Sequence, residues 1–132
     1  MPTLSTLPPQ KSYVIILVTG LEDEGKRATL AFSTACSALA LEARAYLFLA
    51  GNGSYWAYEG HTTPVQQAGF PALAELVNTY LELGGQLYLC STCDKTCGLS
   101  ASDKSSKRLS GVELRGLASI LDCAEHSTTM TF

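Results

Sequence analysis

The sequence predicts an α/β fold, a three-layer α/β/α sandwich around a mainly parallel sheet of four or five strands. Three observations carry that expectation. Short unbroken apolar runs, from Tyr13 to Val18 and from Ala45 to Ala50, have the composition of strands buried on both faces. Proline-free segments with helical spacing of apolar residues stand between such runs. The two kinds of segment alternate at short intervals, which favours crossover connections and parallel pairing. In sheets of that kind, sites lie beyond the carboxyl ends of the strands.

Taken in order, the chain opens with "MPTLSTLPPQ", whose three prolines and lack of apolar period mark a loose arm over residues 1–11. A single domain is expected over residues 12–132. "YVIILVTG" is the first strand, closed by Gly20. "GKRATLAFSTACSALALE" is a helix; Leu30, Thr34, Ser37 and Leu41 recur near helical spacing, with Ala31, Ala35 and Ala38 beside them, and the small residues suggest close packing on a sheet. "ARAYLFLAG" is a second strand. The glycine-rich and aromatic "GNGSYWAYEG" after it is too irregular for an element and too aromatic for a linker, so it is a candidate pocket wall. "GFPALAELVNTYLELGG" reads as a helix with Pro71 near its first turn, apolar positions Leu73, Leu76, Val77, Tyr80 and Leu81, and a stop at Gly84 or Gly85. "QLYLC" is a third strand. A polar stretch, "SASDKSSKRLS", leads to a weak strand around "GVELRG", a helix near Leu117 to Glu125, and a last strand in "STTMTF".

Composition excludes several classes. At 132 residues and 46% hydrophobic, the chain has material for one core. A net charge of −3 gives no clustered positive footprint, so nucleic acid is not an expected partner. The longest apolar runs fall far short of the roughly 18–20 residues that cross a bilayer, and no signal pattern opens the sequence, so the protein reads as cytoplasmic. Five cysteines, an odd count without a secretory signal, point to reduced thiols used for metal or sulfur chemistry.

Two stretches carry candidate chemistry. "GLEDEGKR" nearly spells a phosphate loop, but Arg27 replaces the hydroxyl residue that would hold magnesium, and Glu22, Asp23 and Glu24 oppose a polyphosphate. These acids read instead as a solvated turn favouring a helix N-terminus. "LYLCSTCDKTCG" places Cys90, Cys93 and Cys97 within eight residues. Three thiolates at that spacing can hold zinc or an iron–sulfur cluster, but no fourth ligand follows from spacing. Cys90 and Cys93 also have the spacing of a redox pair at a strand-to-helix turn, and Cys90 has the alternative of a small apolar residue ending a strand. Cys36 and Cys123, each inside a helix, are read as structural. No resident metal or cofactor is expected.

The order of these features resembles the DsrE/DsrF-like family of small sulfur-relay proteins. The likeness runs from about Tyr13 to Phe132. It is most specific in "GFPALAELVNTYLELGGQLYLCSTC", a helix ending in Gly-Gly, a short apolar strand, and a cysteine at the strand's end with Gly98 eight residues on. The resemblance implies a persulfide carrier or sulfurtransferase of the TusD/DsrE type, with sulfane sulfur carried on Cys90 and Cys93 as the recurrent second thiol. Cys97 stands where members with that pair often have arginine. The partners so implied are sulfur donor and acceptor proteins or small sulfane-sulfur species, together with copies of the chain itself as a trimer or hexamer. Surplus apolar surface, including the aromatic loop, agrees with self-association. Tyr55 and Trp56 are candidate cover for the thiol, or packing in a subunit interface. Lys95 heads a basic series, with Lys104, Lys107, Arg108 and Arg115, suited to favouring a thiolate or docking an acidic partner, or serving as solvated surface. The alternative is a non-catalytic oligomeric module whose clustered cysteines are structural or bind a metal.

Overall fold

A computed structural model of the chain describes residues 10–92 and 107–132. Its elements are β1 (Ser12–Leu17), α1 (Lys26–Ala40), β2 (Arg44–Leu49), a 3-10 segment (Gly51–Ala57), α2 (Leu73–Glu82), β3 (Gln86–Cys90), β4 (Val112–Arg115), α3 (Ala118–Ala124) and β5 (Thr128–Thr131). The five strands form one sheet in the order β4-β3-β2-β1-β5, and every neighbouring pair is parallel. All their carboxyl ends therefore open on one edge, where β1 and β2 run into the loops that the sequence singles out.

Alternation along the strands divides the apolar side chains between two faces. Ile15, Leu17, Leu47, Leu49, Leu87 and Leu89 lie beneath α1 and α2 in the main core, with Phe32, Leu73, Val77 and Tyr80. Val14, Phe48 and Tyr88 point the other way and are packed by Ile120 and Cys123 of α3. Three layers result, as the sequence predicts.

α1 packs on the sheet through its small residues, as expected, and leaves two leucines of its apolar period in solvent. Ala28, Ala31, Phe32, Ala35 and Ala38 are buried, while Leu30 and Leu41 are 44% and 79% exposed. Small side chains let the helix axis approach the sheet, and leucines on that face would hold it away. Phe32 fills the space so created, edge-on to Tyr80 at 6.0 Å. The hydroxyl of Tyr80 bridges two strands, 3.1 Å from the Ala45 carbonyl oxygen and 2.5 Å from that of Gln86. Burial pushes this phenol far above the ordinary tyrosine range. Gly84, at φ 89°, turns the chain out of α2 and into β3, as a glycine stop should.

Two further differences concern the loops. Gln10 and Lys11, expected to belong to the loose arm, are fastened to the turn between α1 and β2: the Gln10 side chain donates to the Glu42 carbonyl and accepts from Arg44 Nε, while the Arg44 N–H donates to the Lys11 carbonyl. The stretch "GNGSYWA", expected to be irregular, is a two-turn 3-10 segment. Its glycines permit the tight winding that its sequence period conceals.

Candidate functional site

β3 is pinned by the buried Leu87, Tyr88 and Leu89, and Cys90 is its last residue. The thiol-bearing residue is held from both sides. Leu49 of β2 is in register with Leu89, which brings Ala50 to the level of Cys90, and Arg115 of β4 is the register partner of Cys90 itself. Cys90 is 2% exposed. Just beyond it Ser91 and Thr92 are already helical, so the cysteine stands at a strand-to-helix junction. Alternation puts it on the same face as Tyr88. There the Arg115 guanidinium lies 4.9 Å from the Tyr88 ring centroid and 3.2 Å from the Glu113 carboxylate.

Beside Cys90, the 3-10 segment rises from the end of β2. The indole N–H of Trp56 donates to the Thr19 carbonyl at 2.9 Å, and the side chain is fully buried. Trp56, expected on a pocket wall, is therefore a core residue: its one polar group is spent on the backbone and its rings fill space beneath the loop. Tyr55 is only half-buried and meets Trp56 edge-on at 4.9 Å. The ring of His61 stacks on Tyr55 at 4.0 Å, and His61 Nδ1 lies 2.7 Å from the Tyr55 carbonyl oxygen. A carbonyl only accepts, so Nδ1 carries a proton and donates it to this contact. Tyr58, also buried, forms an antiparallel bridge with Arg108, and the neighbouring Glu59 and Leu109 N–H groups donate to the Lys107 and Ala57 carbonyls. The loop after β2 is thus tied to the segment that enters β4.

The acidic turn after β1 is also more engaged than a solvated loop. Asp23 accepts from the Gly25 and Arg27 N–H groups at 3.2 and 2.9 Å and caps the start of α1, in line with the helix-favouring role expected of it. Glu22 instead reaches the neighbouring loop, accepting from the Gly20 N–H at 2.6 Å and from the Asn52 amide at 2.9 Å. The Asn52 hydrogen bond is the main reason its carboxyl is held below the ordinary glutamate range. Sequence reasoning missed Asn52 and His61 as participants. Neither carries a spacing signal: Asn52 is thirty residues from its partner, and His61 matters only because the chain folds back over Tyr55.

Two further thiols lie on helices. Cys36 on α1 donates to the Leu76 carbonyl at 3.4 Å, and Cys123 on α3 packs against the Val14, Phe48 and Tyr88 cluster. Burial pushes both thiols up from their ordinary value. Cys93, Lys95 and Cys97 lie outside the described residues. Among the described residues, no three His, Cys, Asp or Glu side chains converge as a metal site, and no helix is long and apolar enough to cross a membrane.

The model of the DsrE/DsrF-like family matches residues 11–132. The chain belongs to the DsrE/DsrF-like family. The family is generally linked to sulfur relay, which agrees with the resemblance carried by the Gly-Gly, strand and cysteine motif. This DsrE/DsrF-like chain is similar to the crystal structure of the YchN protein from E. coli, with 16% identity and a TM-score of 0.69 over 94% of this chain and 100% of that one. At that identity the likeness shows the fold. A conserved protein of unknown function from Bacteroides thetaiotaomicron is 12% identical, with a TM-score of 0.48 over 91% of this chain and 94% of its own. No curated protein matches.

Proposed function

We propose that this protein is a cytoplasmic sulfur carrier in which Cys90 accepts sulfane sulfur as a persulfide and passes it on. The observation that carries the reading is the position of Cys90: a free thiol at the carboxyl edge of a parallel sheet, fixed between β2 and β4, in a member of a sulfur-relay family. The Cys90 thiolate attacks the outer sulfur of a donor R–S–SH. A new S–S bond forms on Cys90 and R–S⁻ leaves with the electron pair of the broken bond. An acceptor thiolate then attacks the terminal sulfur and returns Cys90 as thiolate. Cys93 is assigned as the second thiol, which shortens the persulfide's lifetime, and Cys97 as an accessory one. Tyr55 is the wall of the site, and Lys95 with its basic neighbours docks an acidic donor or acceptor.

Incubating the full chain with polysulfide, thiosulfate or a persulfidated donor protein tests the reading. Intact-mass spectrometry is expected to show a gain of one sulfur atom, mapped by peptide analysis to Cys90. An unchanged mass with all three donors, or stoichiometric zinc or iron in the purified protein, would transfer the case to the metal-binding module.

We further propose self-association into a trimer or hexamer. Leu117 and Leu121 on one outer layer are 57% and 75% exposed, and Leu41 on the other is 79% exposed, apolar positions that copies could cover. The aromatic loop adds little to them, because Trp56 and Tyr58 are spent on the chain's own core. Sedimentation at micromolar concentration is expected to show a multiple of the 14.0 kDa chain. A single species at that mass would remove the proposal.

A further inference from the structure

The loops after β1 and β2 meet at one carboxylate. Glu22 Oε1 accepts from the Gly20 N–H and Oε2 from the Asn52 side-chain amide, so one side chain joins both loops. The backbones themselves touch here. A Cβ on Gly20 would stand 2.5 Å from the Asn52 carbonyl oxygen, and a Cβ on Gly53 would run into the Leu17 carbonyl oxygen. One residue before Gly20, the Thr19 carbonyl holds the Trp56 indole. These contacts fix Gly51–Ala57, the segment that starts at the level of Cys90 on the adjacent strand. Only the Glu22 contact depends on a charge that a proton can remove.

We propose that Glu22 is a positioning residue for the Cys90 site: its ionised carboxylate clamps the Gly51–Ala57 turn against the end of β1, and protonation or removal of that carboxylate lets the turn open next to the end of β3. Its meaning for sulfur transfer rests on the reading of Cys90 above, whereas the clamp stands on the contacts alone. The charged groups around Glu22 are Asp23 and Glu24 on its own turn and Arg27 in the first turn of α1, and Arg27 is itself turned toward Asp23 at 3.5 Å. The Gly51–Ala57 segment carries no carboxylate or basic side chain against it, and Glu59 and His61 follow farther along the same loop. A carboxyl held below its ordinary value supports the clamp at every pH above the ordinary glutamate range. The support is lost as pH falls through that lowered value.

Trp56, the single tryptophan of the chain, reports on the clamp directly. Emission is followed from neutral to acid pH for the wild type, Glu22→Ala and Glu22→Gln, with far-UV circular dichroism in parallel to register global unfolding. Wild-type emission is expected to move to the red at acid pH before the dichroism changes. Glu22→Ala should show the red-shifted emission already at neutral pH. Glu22→Gln is neutral like the protonated acid and offers the same one acceptor oxygen and a donor group, so it is expected to show the acid-form emission already at neutral pH and to lose the acid shift. Site-resolved alkylation of Cys90 at neutral pH is expected to be severalfold faster in Glu22→Ala and in Glu22→Gln than in the wild type. The proposal is overturned if the acid shift survives in Glu22→Gln, if neutral-pH emission is the same in wild type and Glu22→Ala, or if Cys90 alkylates at one rate in both. The Glu22→Gln profile decides the matter even if Glu22→Ala does not fold. None of these readouts requires Cys90 to carry sulfur, so a failed clamp and a failed carrier are separate results.

Discussion

Cys90→Ser is expected to abolish sulfur loading, while Cys36→Ser and Cys123→Ser leave it at the wild-type level. Serine keeps the size of the side chain and the ladder on both sides of residue 90, so folding should survive and only the nucleophile is lost. The two helical thiols are poor substitutes. Cys36 is engaged with the Leu76 carbonyl, and Cys123 is packed into the Val14, Phe48 and Tyr88 cluster. Cys97→Ser is expected to leave loading largely intact, and Cys93→Ser to change how long the persulfide lasts. The measurement is the rate of single-sulfur mass gain for each variant under one donor concentration. Loading of Cys90→Ser at the wild-type rate would assign the chemistry to another thiol and end the mechanism proposed here.

Trp56→Ala is expected to cost about 3–5 kcal/mol of folding stability through the cavity it leaves. Loss of the indole N–H also strands the Thr19 carbonyl, adding about 1 kcal/mol or more if water does not reach it. Against a total stability of about 5–15 kcal/mol, that is a large fraction, and the variant should unfold at much lower urea than the wild type. The loss should also be greater than for Tyr55→Ala, since Tyr55 is half-buried where Trp56 has no exposed surface. A Trp56→Ala midpoint within experimental error of the wild type would show that the loop is not part of the core.

The fold was legible because its strands advertise themselves. "YVIIL", "AYLFL" and "QLYLC" are apolar on both faces only because helices cover both, and a chain that must bury such runs has few alternatives to parallel pairing. The last strand, with exposed Thr128, Thr129 and Thr131, was readable mainly from its place at the end of the alternation. The buried face of α1 was legible from its small residues rather than from its leucines, because the leucines of the period are the ones left in solvent. The place of Cys90 at the end of β3 could be read from the apolar run before it. The Glu22, Asn52, Trp56 and His61 contacts could not, because each joins residues distant in sequence whose meeting depends on how two loops leave adjacent strands.

The strand order also governs the sequence of events in folding. β2, β3 and β4 each add to the sheet beside the strand before them, but β5 returns to the opposite flank of β1, with Tyr13 facing Thr128 and the Ser12 and Ser127 hydroxyls bonded across 115 positions. Closing so long a loop costs little more at equilibrium than closing a shorter one, since each doubling of length adds only about 0.6 kcal/mol. Its effect on rate is larger, because contacts of high sequence separation are the slow ones to form. The outer edge of β1 therefore waits, open and apolar, until the final strand of the domain arrives. During that interval any other copy's β5 fits the same edge equally well, so a crowded refolding mixture has a built-in route to exchanged C-terminal strands.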